Sequence, residues 1–195
     1  MYIGWLYLKD YCNTIFMVFE GEYVNGERNG KGKELYGDGK IKFEGEYLNG
    51  EKNGKGKEYN YDDNLEFEGL YLYNFRLTGK EYIKERLVFE GDYLYGQKWN
   101  GKGYDENGNI DYELNNGNGK FKEYYGNGDL KFEGELVDGK RNGKGKEYNY
   151  DGKLIYYGEY LNGQRWNGKV REYKEYFNRE VVSEYELLNG EKFLP

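Results

Sequence analysis

The sequence predicts an all-β protein: an elongated, single-layer, twisted antiparallel sheet of stacked β-hairpin repeats. Three observations predict it. The pentapeptide Phe-Glu-Gly-Glu-Tyr begins at Phe19 and again at Phe43, with close variants at Phe67, Phe89, Phe132 and Tyr156. Its glycine falls at Gly21, Gly45, Gly69, Gly91, Gly134 and Gly158, in steps of 24, 24, 22, 43 and 24 residues, and a period of this size marks a repeat array. Within each unit apolar and charged residues alternate, and Asn-Gly or Asp-Gly pairs punctuate the pattern. The 43-residue step hides a degenerate unit, so the array holds about seven or eight modules.

The unit from Phe43 to Glu66 is the least degraded. Phe43, Gly45 and Tyr47 alternate with Glu44 and Glu46, the period-two pattern of a strand with one apolar and one solvated face. Asn49-Gly50 and Asn53-Gly54 then bracket a turn, because Asn and Gly accept the positive φ that tight hairpins need. A second strand follows from Lys55 through Tyr61. Tyr59 and Tyr61 share a side with Lys57 while Gly56 and Glu58 point the other way, and a bulge in either strand would change that register. Gly45 and Gly56 are places where a ring lies directly on backbone. A lone hairpin is unstable in water, so neighbouring units must stack, and at ~4.8 Å per strand eight units would make a ribbon roughly 75 Å long.

The pattern resembles the MORN repeat family, in divergent form. The matching residues are Phe43-Glu44-Gly45-Glu46-Tyr47, then Gly50, Gly54 and Gly56, with Asp38-Gly39 and Asp151-Gly152 at the turn of sister units. Phe stands where the family usually has its first Tyr, and Tyr where it has Trp. The resemblance covers about residues 19–171 and implies an elongated β-sheet used for interaction or scaffolding. Some members have been linked to phospholipid, and some divergent ones to an antitoxin or immunity-like role.

Composition narrows the function. Aliphatic residues are scarce, while Tyr 25, Phe 10 and Gly 31 carry much of the chain, so burial must come from rings packed over glycines. The net charge of −7 argues against nucleic acid as a partner. The one cysteine, Cys12, allows no internal disulfide, and the apolar stretches before Phe19 have neither the basic start nor the cleavage site of a signal peptide. No run approaches the ~20 apolar residues of a membrane span. The expectation is a cytoplasmic protein, with peripheral membrane contact left open.

With His 0 there is no Ser-His or Cys-His pair and no imidazole ligand, and Ser183 is the lone serine. The glutamates recur at fixed repeat positions, whereas catalytic carboxylates need a unique enclosed environment. No catalytic residue, cofactor or metal site is therefore expected.

Departures from the repeat are the candidate sites. Residues 1–18 form a degenerate N-terminal cap, 19–181 the array, and 182–195 a C-terminal cap. The unit at Phe67 loses its turn glycines and reads Tyr73-Asn74-Phe75-Arg76-Leu77-Thr78, which bends the sheet or exposes Phe75. Trp99 and Trp166 appear as insertions in two hairpin turns, each beside a cation, where an exposed ring would anchor a partner. The unit at Tyr112 is shortened, and Leu114 stands in place of glycine, so the twist should change there. Finally, Arg28, Lys52, Lys98, Arg141 and Arg165 align in one column, a basic edge suited to anionic headgroups or to an acidic protein.

The function expected is a non-enzymatic protein-protein interaction or scaffold protein, with a protein partner that includes a second copy of the chain. The rivals are peripheral binding to anionic phospholipid through the basic edge and an antitoxin or immunity-like module.

Overall fold

The computed structural model describes residues 18–176 and 179–193, so the N-terminal cap predicted at 1–18 lies outside the described residues but for Val18. Every described element is a β-strand. In chain order they are β1 (Val18–Val24), β2 (Glu27–Leu35), β3 (Ile41–Leu48), β4 (Glu51–Tyr59), β5 (Leu65–Leu72), β6 (Phe75–Ile83), β7 (Arg86–Leu94) and β8 (Gln97–Tyr104). Then come β9 (Ile110–Leu114), β10 (Gly119–Tyr124), β11 (Leu130–Val137), β12 (Lys140–Tyr148), β13 (Leu154–Leu161), β14 (Gln164–Tyr176), β15 (Arg179–Leu188) and β16 (Glu191–Phe193). They form two antiparallel sheets in unbroken chain order, nine strands from β1 to β9 and seven from β10 to β16. The chain divides into two compact units, residues 1–97 and 98–195, each described by itself.

The tips joining β1 to β2 and β3 to β4 are two-residue loops with both central residues at positive φ, Asn25 (53°) and Gly26 (85°) in one, Asn49 (50°) and Gly50 (86°) in the other, while β2–β3 and β4–β5 are joined by the longer turns 36–40 and 60–64. The two-residue mirror-image turns match the right-handed twist of paired strands. The structure corrects one reading here. Asn53-Gly54 is no part of the turn: β4 already begins at Glu51, and Asn53-Gly54 forms a bulge within it, between the pairs Gly45↔Gly56 and Tyr47↔Lys52. The bulge is held by Glu46, whose Oε2 accepts from the Lys55 amide at 2.7 Å. A second bulge at Glu58/Tyr59 settles the faces of that strand: Glu58 lies opposite Phe43, and Tyr59 turns to the other side, where its hydroxyl donates to Glu44.

The repeated glycines form a row. Gly21, Gly32, Gly45, Gly56, Gly69, Gly79 and Gly91 are paired one to the next across the seven strands of the first unit. A β-carbon added at Gly56 would lie 2.5 Å from Phe43 Cζ, so the Phe43 ring rests on bare backbone. Phe43, Phe67, Phe89, Phe132 and Tyr156 are fully buried in this way. Tyrosines close the gaps edge-on: Tyr47 and Tyr71 meet Phe43 at 86° and 87°, with ring centroids 5.6 and 5.1 Å away. The second unit repeats the scheme with Phe132, Tyr156, Tyr160 and Val170, packed by Phe121, Tyr185 and Leu187.

The break between sheets falls at the shortened unit, where Leu114 had suggested a change of twist. Tyr112 takes the ring position over Gly103, and Leu114, paired with Gly101, is buried where other units leave space. An isolated bridge, Asn115↔Asn118, stands between the end of one sheet and the start of the next, and the Lys122–Asp111 ion pair (2.8 Å) and the Tyr112–Phe121 ring contact (5.4 Å) join β9 to β10.

Candidate functional site

Each strand alternation gives the sheet two chemically distinct faces. On the aromatic face, cations lie over the rings: Arg28 over Phe19 at 4.3 Å, Lys52 over Phe43 at 3.9 Å and Arg76 over Phe67 at 4.3 Å. In the second unit Arg141 lies over Phe132 at 4.0 Å, Arg165 over Tyr156 at 5.0 Å, and Lys98 stands 5.7 Å from the centre of Phe121. A cation on a ring face is held by the ring quadrupole, more strongly as water is removed.

Glutamates of the even strands tie these cations into chains. In the first unit Glu34 pairs with Arg28 (2.8 Å) and Lys52 (3.4 Å), and Glu58 with Lys52 (3.6 Å) and with Arg76. In the second, Glu123 pairs with Lys131 (2.6 Å) and Arg141 (2.7 Å), and Glu147 with Arg141 (2.5 Å) and with Arg165. Burial raises the Glu58 carboxyl, but Arg76 and then Lys52 outweigh it and hold its pKa below the ordinary value. Glu123 behaves alike: burial raises it, while hydrogen bonds from Lys131 and Arg141 carry it below. Burial first, then the neighbouring Glu34, Glu58 and Glu147, push the hydroxyls of Tyr47, Tyr71 and Tyr160 up. The column Arg28, Lys52, Lys98, Arg141 and Arg165 is thus woven into the aromatic face, with side-chain exposures of 15% for Lys52 and 22% for Arg141.

The opposite face carries a ladder of alternating charge. Across the strands run Glu20, Lys33, Glu44, Lys57, Glu68, Lys80 and Glu90, with ion pairs Lys33–Glu44 (3.4 Å), Lys57–Glu68 (3.6 Å) and Lys80–Glu90 (3.7 Å). Tyr59 and Tyr82 donate to Glu44 (2.9 Å) and Glu68 (2.8 Å). Burial, then those carboxylates, push each of the two hydroxyls up to about 12. In the first unit this face forms a groove of about 1380 Å³ with the glycine row as its floor. Among the described residues no group of three His, Cys, Asp or Glu is placed to hold a metal ion.

The tips of the hairpins are where apolar side chains stand out. Phe75 is 52% exposed, at a tip whose mirror-image turn is made by Tyr73 (φ 49°) and Asn74 (φ 68°) without glycine. Trp166 is half-buried. The register corrects its reading as an insertion: Tyr160 pairs with Arg165 and Glu159 with Asn167, so Trp166 is the single bulged residue of a strand one residue shorter than β4 at this point. Its ring lies 3.5 Å from the site of a Gly190 β-carbon, over the tip of the next hairpin. Trp99 is half-buried as well and covers the Gly117 tip, whose amide donates to the Trp99 carbonyl at 2.8 Å. Phe75 belongs to the first unit and both tryptophans to the second.

Sequence reasoning missed the companions of Phe75. Leu70, Leu72, Tyr73 and Leu77 are 38%, 43%, 60% and 42% exposed around it. The signal was present in the repeat alignment, where Leu70, Tyr73, Phe75 and Leu77 stand at the positions of Glu46, Asn49, Glu51 and Asn53.

Three stretches of the chain, residues 19–41, 43–64 and 132–153, match the MORN repeat family model. No curated protein matches the chain. No helix of the described residues is long and apolar enough to cross a membrane.

Proposed function

We propose that this chain, three stretches of which match the MORN repeat, is a non-enzymatic protein-interaction or scaffold protein that meets its partner through hairpin tips. One observation carries the reading: the ring cations pair with glutamates of their own face and the Glu–Lys ladder of the other face pairs across its strands, while large apolar side chains are left exposed at the tips. Exposed apolar groups that packing does not require are the ordinary currency of protein recognition. Phe75 is the exposed anchor in the first unit; in the second, Trp99 and Trp166, half-buried over the Gly117 and Gly190 tips, are the proposed contacts. The same reading takes each unit as a single twisted layer of discrete hairpins, its rings covered by cations and tyrosines of their own face. Nothing in the site favours anionic lipid or an antitoxin role.

The test is affinity capture from a lysate of the source cells with the wild-type chain, Phe75→Ser and Trp99→Ala/Trp166→Ala. Loss of the same specific protein from one variant, with circular dichroism unchanged, supports the reading and assigns the tip. Identical recovery by all three chains removes these tips from the function.

A further inference from the structure

The β5–β6 hairpin differs from its two predecessors in a way the fold does not demand. The β3–β4 hairpin carries Glu46 and Glu51 at the positions taken by Leu70 and Phe75, and Leu72 faces Phe75 in register as Leu48 faces Glu51. Alternation sets Leu70, Leu72 and Phe75 on the groove face, and Leu94, 40% exposed, ends β7 beside them. With Tyr73 and Leu77 they expose on the order of 550 Å², at the upper end of the largest apolar patch a monomer carries and about two thirds of the ~800 Å² each partner buries in a standard interface.

The charges around this patch are self-complementary. One row of the groove face runs Lys55, Leu70, Thr78, Asp92, each paired in register with the next across β4 to β7. Lys55 and Asp92 are exposed, and neither has an ion-pair partner among the described residues, unlike the lysines of the neighbouring ladder. The row is positive at Lys55, negative at Asp92 and uncharged between, with Leu70 apolar and the Thr78 hydroxyl donating to the Gly91 carbonyl at 3.2 Å. A two-fold axis lying along the strand direction in front of the face reverses such a row. It brings Lys55 of one copy onto Asp92 of the other, twice, with apolar surface closed between them.

We infer that the occupant of this patch is a second copy of the chain, in an isologous dimer centred on Leu70 and Phe75. The inference rests on the scaffold reading above and names the partner at its first-unit tip. A heterologous partner would leave the match between the two ends of the row without a role.

Sedimentation velocity of the purified full chain from about 1 to 100 μM tests it. The expected result is a monomer–dimer equilibrium, weakened at least tenfold by L70E/F75E/L77N, which installs the residues that β3–β4 holds at those places, so that folding, checked by circular dichroism, is preserved. Lys55→Glu and Asp92→Lys should each weaken the dimer by like-charge contact, and the double swap K55E/D92K should restore it. A wild-type chain that stays monomeric throughout overturns the inference. So does a dimer that survives L70E/F75E/L77N, or a double swap no better than the singles. A monomeric chain that still captures a Phe75-dependent protein overturns the second copy while leaving the scaffold reading intact.

Discussion

Phe43 shows how one residue gathers the chemistry of a whole repeat. It lies on the Gly45–Gly56 pair, under the Lys52 ammonium, between the edges of Tyr47 and Tyr71. Gly56 has an ordinary negative-φ backbone, so what it supplies is room, whereas Gly39 at φ 90° supplies conformation and has no atom near its missing side chain. Alanine separates the two roles. Gly56→Ala should cost about 2–3 kcal/mol, because the Phe43 ring must leave its seat, and Gly39→Ala about 1 kcal/mol of backbone strain. Urea unfolding of both variants checks this, and equal costs would contradict the packing account. The ring-on-glycine contact was legible in the sequence because both residue types recur with the period. The seat of the cations was not: the bulge between Gly45 and Tyr47 slips the partner strand, so simple alternation does not tell on which face Lys52 lies.

At the scale of the element, register rather than residue type decides what a motif means. Asn53-Gly54 reads as a turn and is a bulge, while Trp166 reads as an insertion and is the one bulged residue of a shorter strand. The first fails because Gly54, at φ 102°, gives a bulge the positive φ that a tight turn also uses; the second fails because a bulge can also form without any special residue, and none of Trp166, Asn167 and Gly168 has positive φ. The β6–β7 turn is the converse case. Lys84 (φ 49°) and Glu85 (φ 64°) hold the mirror-image turn with no glycine and no asparagine, a conformation that costs an ordinary side chain about 1 kcal/mol or more per residue. Replacing them with Asn-Gly should raise stability by about 1–2 kcal/mol, read as a higher Tm with the same circular dichroism spectrum. A lower Tm would show that the Lys84 or Glu85 side chain contributes more than its backbone costs. The sheet break was half legible: Leu114 in the glycine row announced a change, but only pairing shows that the first sheet ends there.

Across the whole molecule the same ion-pair scheme is built twice, around Glu58 in the first unit and Glu123 in the second, and this sets the response to acid. Burial disfavours both carboxylates, yet the cations on the rings outweigh it, so each folded pKa lies below its ordinary 4.5. A carboxyl that protonates less readily folded than unfolded contributes stability that is complete above its unfolded value and disappears as the pH falls through the folded one. Stability should therefore be flat from pH 7 to about 5 and fall steeply below 4.5, in both units over one window. Glu58→Gln should lower Tm at pH 7 and flatten its decline on acidification, since the variant has no proton to gain at that site; Glu123→Gln should act alike. Thermal unfolding between pH 3 and 7 reads both slopes. Should either variant keep the full acid slope of the wild type, its ion pairs would not be what acid breaks, and the cations would be held by the rings alone.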